Sequence, residues 1–221
     1  MATSRPALLL AALLLAACSS TAVAGPAGSR APNSNAKGPA QMASNEQDIA
    51  VAQRAIAHDL QIPESAVKVR ALAVTVPGIL VFTAAVDPGK AGRHVTRTGI
   101  VEGGAVYTET EAMSRVARAW KYGARRTVPP VTVAQVFGAL HSATAESSAF
   151  IDEDTVQTYK KVSGPRRAST VALPTEATVD GHPAVVYCLT SSARSIPFSV
   201  VTAIVKPDFQ VELRAQPVLE D

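Results

Sequence analysis

The chain has 221 residues, of which 47% are hydrophobic and 18% charged, and its formal net charge is only +3. This length and composition support one folded domain with a sizeable core. A charge this small produces no strong field for a polyanion, so nucleic acid is not an expected partner.

An apolar segment near the amino end is too short to cross a membrane. A spanning helix needs about 20 predominantly apolar residues, whereas the unbroken run here covers only Ala7–Ala17. One positive charge, Arg5, precedes the run and small residues follow it, which is the three-part pattern of an export signal. The segment therefore predicts export rather than a membrane span.

The end of this segment carries a short motif, Leu15, Ala16, Ala17 and Cys18. It resembles the lipobox of bacterial lipoproteins, which is Leu, two small residues and Cys. The resemblance implies that residues 1–17 are a signal peptide removed in front of Cys18, that the Cys18 sulfur carries a diacylglyceryl group, and that the new amino terminus is acylated as well. Two or three acyl chains hold a protein at a bilayer essentially permanently. Ser19 stands where enteric bacteria use Asp for inner-membrane retention, so the resemblance implies the outer membrane, facing the periplasm or the cell surface.

Residues 18–44 are predicted to form a flexible tether. Ser19–Ser44 is rich in Ala, Gly, Pro, Ser and Asn, and its only charged residues are Arg30 and Lys37. Such a segment cannot bury enough apolar surface to offset its chain entropy. Its r.m.s. reach would be roughly 25–30 Å, so the domain would stand clear of the lipid headgroups.

If Cys18 carries lipid, Cys188 is the only thiol left, and no disulfide can form within the chain. Cys188 lies in "AVVYCLTSS", an apolar run that predicts a strand, and unpaired Cys is among the most buried residue types. We expect an inert, buried thiol.

Residues 45–221 are predicted to form a single α+β domain. Ser44 and Gln47 have the spacing of a capping box, and an apolar face at helical spacing follows until Pro63 ends the helix. The face consists of Ile49, Ala52, Ile56 and Leu60. Antiparallel strands are then expected in "VKVRALAV", "ILVFTAAV", "HVTRTGIV" and "AVYT".

The second part of the domain repeats the order of helix followed by strands. Thr108 with Glu111, and Thr132, are predicted to cap two helices, and "DEDTVQTYKK" suggests a further one. The apolar residues expected to face inward are Met113, Val116, Ala117 and Trp120 in the first helix, and Val133, Val136, Phe137 and Leu140 in the second. The predicted C-terminal strands are "STVALPTEATV", "AVVYCLTSS", "FSVVTAIV" and "FQVELRA". The sequence thus predicts an antiparallel sheet of meander hairpins with about three to four helices packed on it.

Two segments within the domain resemble each other. "TGIVEGGAVYTE", from Thr98, aligns with "TAIVKPDFQVEL", from Thr202. The match allows a duplication with halves 45–107 and 108–221, but it is short, and any two amphipathic hairpins align about this well.

The helix predicted after Thr108 carries a basic set that crowds its later turns: Arg115, Arg118, Lys121, Arg125 and Arg126. It has two interpretations. The side chains could contact an anionic surface such as lipid headgroups or an acidic partner, or they could form a solvated helix end that complements the helix dipole.

Catalytic and metal-binding patterns are missing from the sequence. The four histidines, His58, His94, His141 and His182, are far apart and show no recognised ligand spacing. No Gly-x-Ser-x-Gly motif is present. We therefore expect no cofactor, no metal and no catalytic residue.

Two function classes remain. The first is a membrane-anchored envelope lipoprotein whose non-enzymatic domain binds an envelope protein, a peptide or a small ligand, with its strand edges open to β-addition. The alternative is a periplasmic enzyme or metal-binding protein whose site combines acidic residues with His94, His141 or His182. Convergence of these histidines in one pocket with a carboxylate would favour the alternative.

Overall fold

A computed structural model describes residues 39–87, 95–124, 128–144, 146–191 and 198–219. The signal segment, Cys18, His94, Arg125 and Arg126 lie outside these residues. Those described all belong to one compact unit.

The first part of the domain is a helix followed by four strands. Its elements are α1 (Pro39–Leu60), β1 (Val67–Ala71), β2 (Ile79–Val86), β3 (Val95–Glu102) and β4 (Ala105–Tyr107). The strands pair in chain order, all antiparallel, into a four-stranded sheet. A short 3-10 turn, Glu64–Ala66, joins α1 to β1.

The second part contains more helices and a larger sheet. Its elements are α2 (Glu109–Trp120), α3 (Pro130–Ala139), β5 (Ser147–Ala149), α4 (Glu153–Val162), α5 (Pro165–Thr170), β6 (Thr175–Val179), β7 (His182–Ser191), β8 (Ser199–Val205) and β9 (Val211–Pro217). The sheet has the order β5-β7-β8-β9, and β6 also pairs with β7. All of these pairings are antiparallel.

The two sheets share a core in which α2 and α3 take part. Val81 of β2, Met113 of α2, Phe137 of α3 and Tyr187 of β7 belong to one buried cluster. Because successive side chains of a strand point to opposite faces, Leu80 and Phe82 of β2 instead pack against α1. On the far face of the second sheet, a smaller cluster joins Val156 of α4 to strand residues and loops. Helices therefore cover both faces of each sheet.

The structure confirms the predicted α+β class and its antiparallel hairpins. The described residues form two sheets and five α-helices, rather than one sheet with three to four helices. Every residue predicted to face inward from α2 and α3 is buried. Cys188 is also buried, its Sγ donates to the Thr170 carbonyl at 3.6 Å, and burial raises the pKa of the thiol.

Several predicted boundaries are wrong, and proline explains most of them. Helix α1 begins at Pro39, so Ser44 does not cap it. Helix α3 begins at Pro130 rather than after Thr132, and the start of the predicted strand "STVALPTEATV" belongs to α5, which begins at Pro165. Proline suits the first helical position because its φ is preset and the missing N–H has no intrahelical partner there.

The predicted capping box of α2 does not form, and one short strand was not predicted. Thr108 lies at the N-cap of α2, but its side chain makes no capping hydrogen bond. Strand β5 was missed. The two aligned segments form the last hairpin of each sheet, β3–β4 and β8–β9, and the duplication stays a prediction.

Candidate functional site

The predicted lipid anchor, Cys18, cannot be placed because it lies outside the described residues. Among those residues, no helix combines the length and the apolar character needed to cross a membrane.

Arg115 of the basic set is held within the domain. Its Nη1 lies 2.7 Å from Glu102 Oε2 and its Nη2 lies 3.2 Å from Glu111 Oε1. The guanidinium also stands 3.4 Å from the ring centroid of Tyr107, a cation–π distance. The hydrogen bond to Glu102 is the main cause that raises the pKa of Arg115. Arg115 therefore ties α2 to the β3–β4 hairpin.

Arg118 and Lys121 differ from Arg115 because both are exposed. Within the described part of the chain, neither forms an ion pair. They lie at the C-terminal end of α2, where Lys121 has a left-handed backbone with φ of 52° and donates its N–H to the carbonyls of Ala117 and Arg118. Cations are favourable at this end of a helix. Both interpretations of the basic set stay open for these two residues.

The histidines that the structure describes lie on separate elements. His58 is exposed in the last turn of α1, His141 follows α3, and His182 begins β7. In the described ranges, no three His, Cys, Asp or Glu side chains come together in a group that could hold a metal ion.

A groove lies between α1, the β3–β4 hairpin and residues 142–144, and we call it the α1–β3 groove. Its volume is about 330 Å³, within the usual range of ligand sites. The floor is apolar and consists of Ile56, Phe82 and Val106. Polar side chains line the rim: Asp59, Arg97, Thr108 and Thr144. The groove thus combines an apolar floor with a rim that carries one cation, one carboxylate and two hydroxyl groups.

A glycine in β3 shapes the floor of the groove. Gly99 lies directly across from Phe82 in the β2–β3 pair. A Cβ on Gly99 would lie only 2.7 Å from the Tyr107 carbonyl oxygen and 3.0 Å from Phe82 Cζ. Glycine therefore permits the close approach of the Phe82 ring and of β4 to β3.

Hydrogen bonds fix the third wall of the groove against β3. The buried Thr98 hydroxyl donates to the Ser142 carbonyl at 2.5 Å, and the Thr98 N–H donates to the Ala143 carbonyl at 3.1 Å. The Ala143 N–H in turn lies 3.4 Å from Glu109 Oε1, which accepts its hydrogen bond. Three hydrogen bonds from two elements, β3 and α2, therefore hold residues 142–144 in place.

His141 and Glu109 flank this wall. The Nδ1 atom of His141 is buried and has no hydrogen-bond partner in the described structure. Burial lowers the pKa of His141, and the negative charge of Glu109 partly opposes that shift. Glu109 itself has φ of 52°, a strained conformation for a residue other than glycine. Strained backbone clusters at functional sites, and a catalytic role or a bound water or ion is among the explanations for an unsatisfied buried polar group.

A second cavity, of about 440 Å³, lies near the start of α1. Its polar lining includes Asn45, Asp48 and Thr75. One wall is the turn at Gly103 and Gly104, where a Cβ would meet no atom within 4 Å. We favour the α1–β3 groove as the candidate site because packed residues form its floor and hydrogen bonds hold one of its walls.

The chain matches no protein-family model, no curated protein and no solved structure.

The groove residues were not predicted as a site. Asp59 lies in a helix predicted for its apolar face, and Arg97 lies in a predicted strand. Gly99 was the one available signal, because an isolated glycine within a strand indicates a close approach of another backbone.

Proposed function

We propose that this chain is a lipid-anchored envelope lipoprotein whose α+β domain binds a ligand in the α1–β3 groove. The groove carries the binding part of the proposal, because its apolar floor faces a rim with both signs of charge. A site of this kind suits a small amphipathic molecule or a short peptide segment, with the apolar portion over Val106 and a polar end near Arg97 or Asp59.

The anchoring part of the proposal rests on the sequence. Leu15–Cys18 has the lipobox pattern, and the apolar run before it has the pattern of an export signal. Acylation at Cys18 would hold the domain at the membrane through the tether, and Ser19 favours the outer membrane. The proposed domain would therefore meet ligands at a membrane surface.

Blocking the groove tests the binding part. Thr144 is exposed on the rim, so Thr144→Trp adds an indole over the opening without replacing a buried residue. Thr144→Ser keeps the hydroxyl and the open groove, and serves as the matched control. The probe is 1-anilinonaphthalene-8-sulfonate, which combines aromatic rings with an anion. We expect the parent and Thr144→Ser to enhance its fluorescence to the same extent, and Thr144→Trp to lose most of the enhancement at an unchanged melting temperature.

The natural ligand is sought in protein taken from its own membranes. We expect native mass spectrometry to detect a bound small molecule or peptide on the parent and on Thr144→Ser, but not on Thr144→Trp. Absence of any bound mass, together with equal dye binding by all three proteins, would contradict a ligand-binding groove.

The alternative is a periplasmic enzyme or metal-binding protein, and one observation favours it. The Nδ1 atom of His141 is buried and has no hydrogen-bond partner in the described structure. The negative charge of Glu109 acts on His141 and favours its protonated form. Titration with Zn²⁺ separates the two proposals. Tight zinc binding that is lost in both His141→Asn and Glu109→Gln would support the alternative, whereas no measurable binding by the parent would contradict its metal-binding form.

A further inference from the structure

The two charged side chains on the rim of the α1–β3 groove lie on opposite walls. Asp59 follows Ile56 by three residues, so both lie on the same side of α1, and both line the groove. In β3, Val95 and Val101 pack against the cluster under α1, so the side chain of Arg97 lies on that same face of the sheet. The groove therefore has a carboxylate on its helix wall and a guanidinium on its sheet wall.

Neither of these two charges forms an ion pair in the described part of the chain. Arg97 donates one long hydrogen bond, from Nη1 to the Thr96 carbonyl at 3.5 Å. Arg97 and Asp59 line one groove, yet they do not pair with each other. Elsewhere in the domain a cation of structural importance is paired, as Arg115 is with Glu102. The guanidinium of Arg97 and the carboxylate of Asp59 are therefore available to a ligand.

A ligand that carries both signs of charge matches this arrangement best. The planar fork of a guanidinium suits a carboxylate, which can accept two parallel hydrogen bonds from it. The carboxylate of Asp59 suits an ammonium group, which can only donate. An anion alone would use only Arg97 and would lie near a like charge on Asp59, and a cation alone would meet the reverse arrangement.

The rest of the lining favours a small molecule with an apolar part. Val106 is half-buried at the floor, and the exposed Thr108 and Thr144 place hydroxyl groups on the rim. A hydroxyl both donates and accepts, so it can serve either charged group of the ligand. The groove volume of about 330 Å³ is at the small end of the usual range of ligand sites.

We propose that the α1–β3 groove binds a small apolar zwitterion, an amino acid or a short peptide whose ammonium and carboxylate groups are both free. Its carboxylate contacts Arg97, its ammonium group contacts Asp59, and its apolar side chain lies over Val106. This inference rests on the proposed function, because it names the ligand class of the same groove. It does not depend on lipid at Cys18.

Ligands that lack one charge test this proposal on the parent protein. Isothermal titration calorimetry compares L-phenylalanine with N-acetyl-L-phenylalanine, which has no ammonium group, and with L-phenylalaninamide, which has no carboxylate. We expect L-phenylalanine to bind at least about fivefold more tightly than either derivative, because each derivative loses one charge-assisted contact. Equal binding of all three compounds would overturn the proposal. The dipeptide L-phenylalanyl-L-phenylalanine separates the two sources of this chemistry, since a peptide site binds it more tightly than phenylalanine and an amino-acid site binds it less tightly.

Variants of the two charged residues test which of them contacts which group of the ligand. In Arg97→Gln, phenylalanine should lose its advantage over phenylalaninamide and keep its advantage over the N-acetyl derivative. In Asp59→Asn, the two preferences should be exchanged. A merely structural effect would weaken all three compounds alike, so this crossed pattern reports direct contact. Preferences that stay unchanged in both variants would contradict the assignment.

The variants of Thr144 locate the binding, and the dye separates this inference from the proposed function. Phenylalanine should bind Thr144→Ser as it binds the parent, and binding that persists in Thr144→Trp would place the site outside the groove and overturn the proposal. The dye needs only the apolar floor and a cation. A parent that enhances the dye fluorescence but binds neither phenylalanine nor the dipeptide would overturn the zwitterion and leave the groove as a binding site. A parent that binds neither the dye nor the zwitterions would overturn both proposals.

Discussion

Gly99 and Phe82 lie directly opposite each other in the β2–β3 pair, and the ring of Phe82 occupies the space that a side chain on Gly99 would need. Phe82 is 1% exposed and belongs to the cluster that packs α1 on the first sheet. The same ring contributes to the floor of the α1–β3 groove. The absence of a side chain on Gly99 therefore affects both the packing of the first sheet and the shape of the candidate site.

The first prediction concerns this contact. Gly99→Ala is expected to lower the free energy of unfolding by about 1–3 kcal/mol, because overpacking displaces the Phe82 ring and β4. Urea unfolding of the parent and the variant measures the difference. The same displacement should weaken dye binding in the groove. A variant as stable as the parent would show that β4 can move aside without cost.

The second prediction separates Arg115 from its basic neighbours. Arg115→Ala is expected to lower the melting temperature, because it removes the ion pairs with Glu102 and Glu111 and the contact with Tyr107. Arg118→Ala is the matched control, since Arg118 is exposed and unpaired in the described part of the chain, and its melting temperature should stay within error of the parent. Thermal unfolding followed by circular dichroism measures both. Equal effects of the two substitutions would contradict the structural role of Arg115.

The third prediction concerns pH. Burial lowers the pKa of His141 in the folded protein below its ordinary value of 6.5. The unfolded chain therefore binds the proton more tightly, and the free energy of unfolding should fall as the pH decreases from about 6.5 toward the folded-state pKa. Denaturant unfolding at pH values from about 7.5 to about 5, a range that brackets the ordinary histidine pKa, measures how steeply the free energy of unfolding changes with pH. We expect this pH dependence to become weaker in His141→Asn and to persist in His58→Asn, the control at an exposed site. A pH dependence that persists in His141→Asn would show that another group causes it.

The fourth prediction concerns the core between the sheets. The Tyr187 hydroxyl is buried without a hydrogen-bond partner in the described structure, and burial raises the pKa of the phenol. Because an unsatisfied buried hydroxyl costs about 1–3 kcal/mol, Tyr187→Phe should leave the protein as stable as the parent or more stable by up to about that amount. Chemical denaturation tests this directly. A clear loss of stability in Tyr187→Phe would mean that the hydroxyl has a partner, such as a buried water molecule.

The sequence predicted the elements whose local signals are strong. The apolar periodicity of α2 and α3 identified the buried faces, and the alternating or continuous apolar runs identified β2, β7 and β8. Helix starts were less predictable, because a proline at the first helical position competed with the Ser and Thr capping signals at Ser44 and Thr132. Strand β5 has only three residues, Ser147–Ala149, and no apolar pattern to mark it.

The candidate groove could not be predicted for a different reason. Its floor and rim come from residues that are distant in sequence, such as Ile56, Phe82 and Thr144. The sequence around each of these residues predicts only a helix, a strand or a loop and gives no sign of a site. Only the packing of α1 on the sheet and the hydrogen bonds from Thr98 to residues 142–144 bring them together.

The proposed place of this protein in the cell depends on covalent lipid at the sulfur of Cys18, and intact-mass spectrometry of the protein isolated from its own membranes tests that attachment most directly. We predict a chain that begins at Cys18 and carries the added mass of a diacylglyceryl group, with a further acyl chain on the new amino terminus. A chain that retains residues 1–17, or one with an unmodified thiol at Cys18, would contradict the lipoprotein assignment.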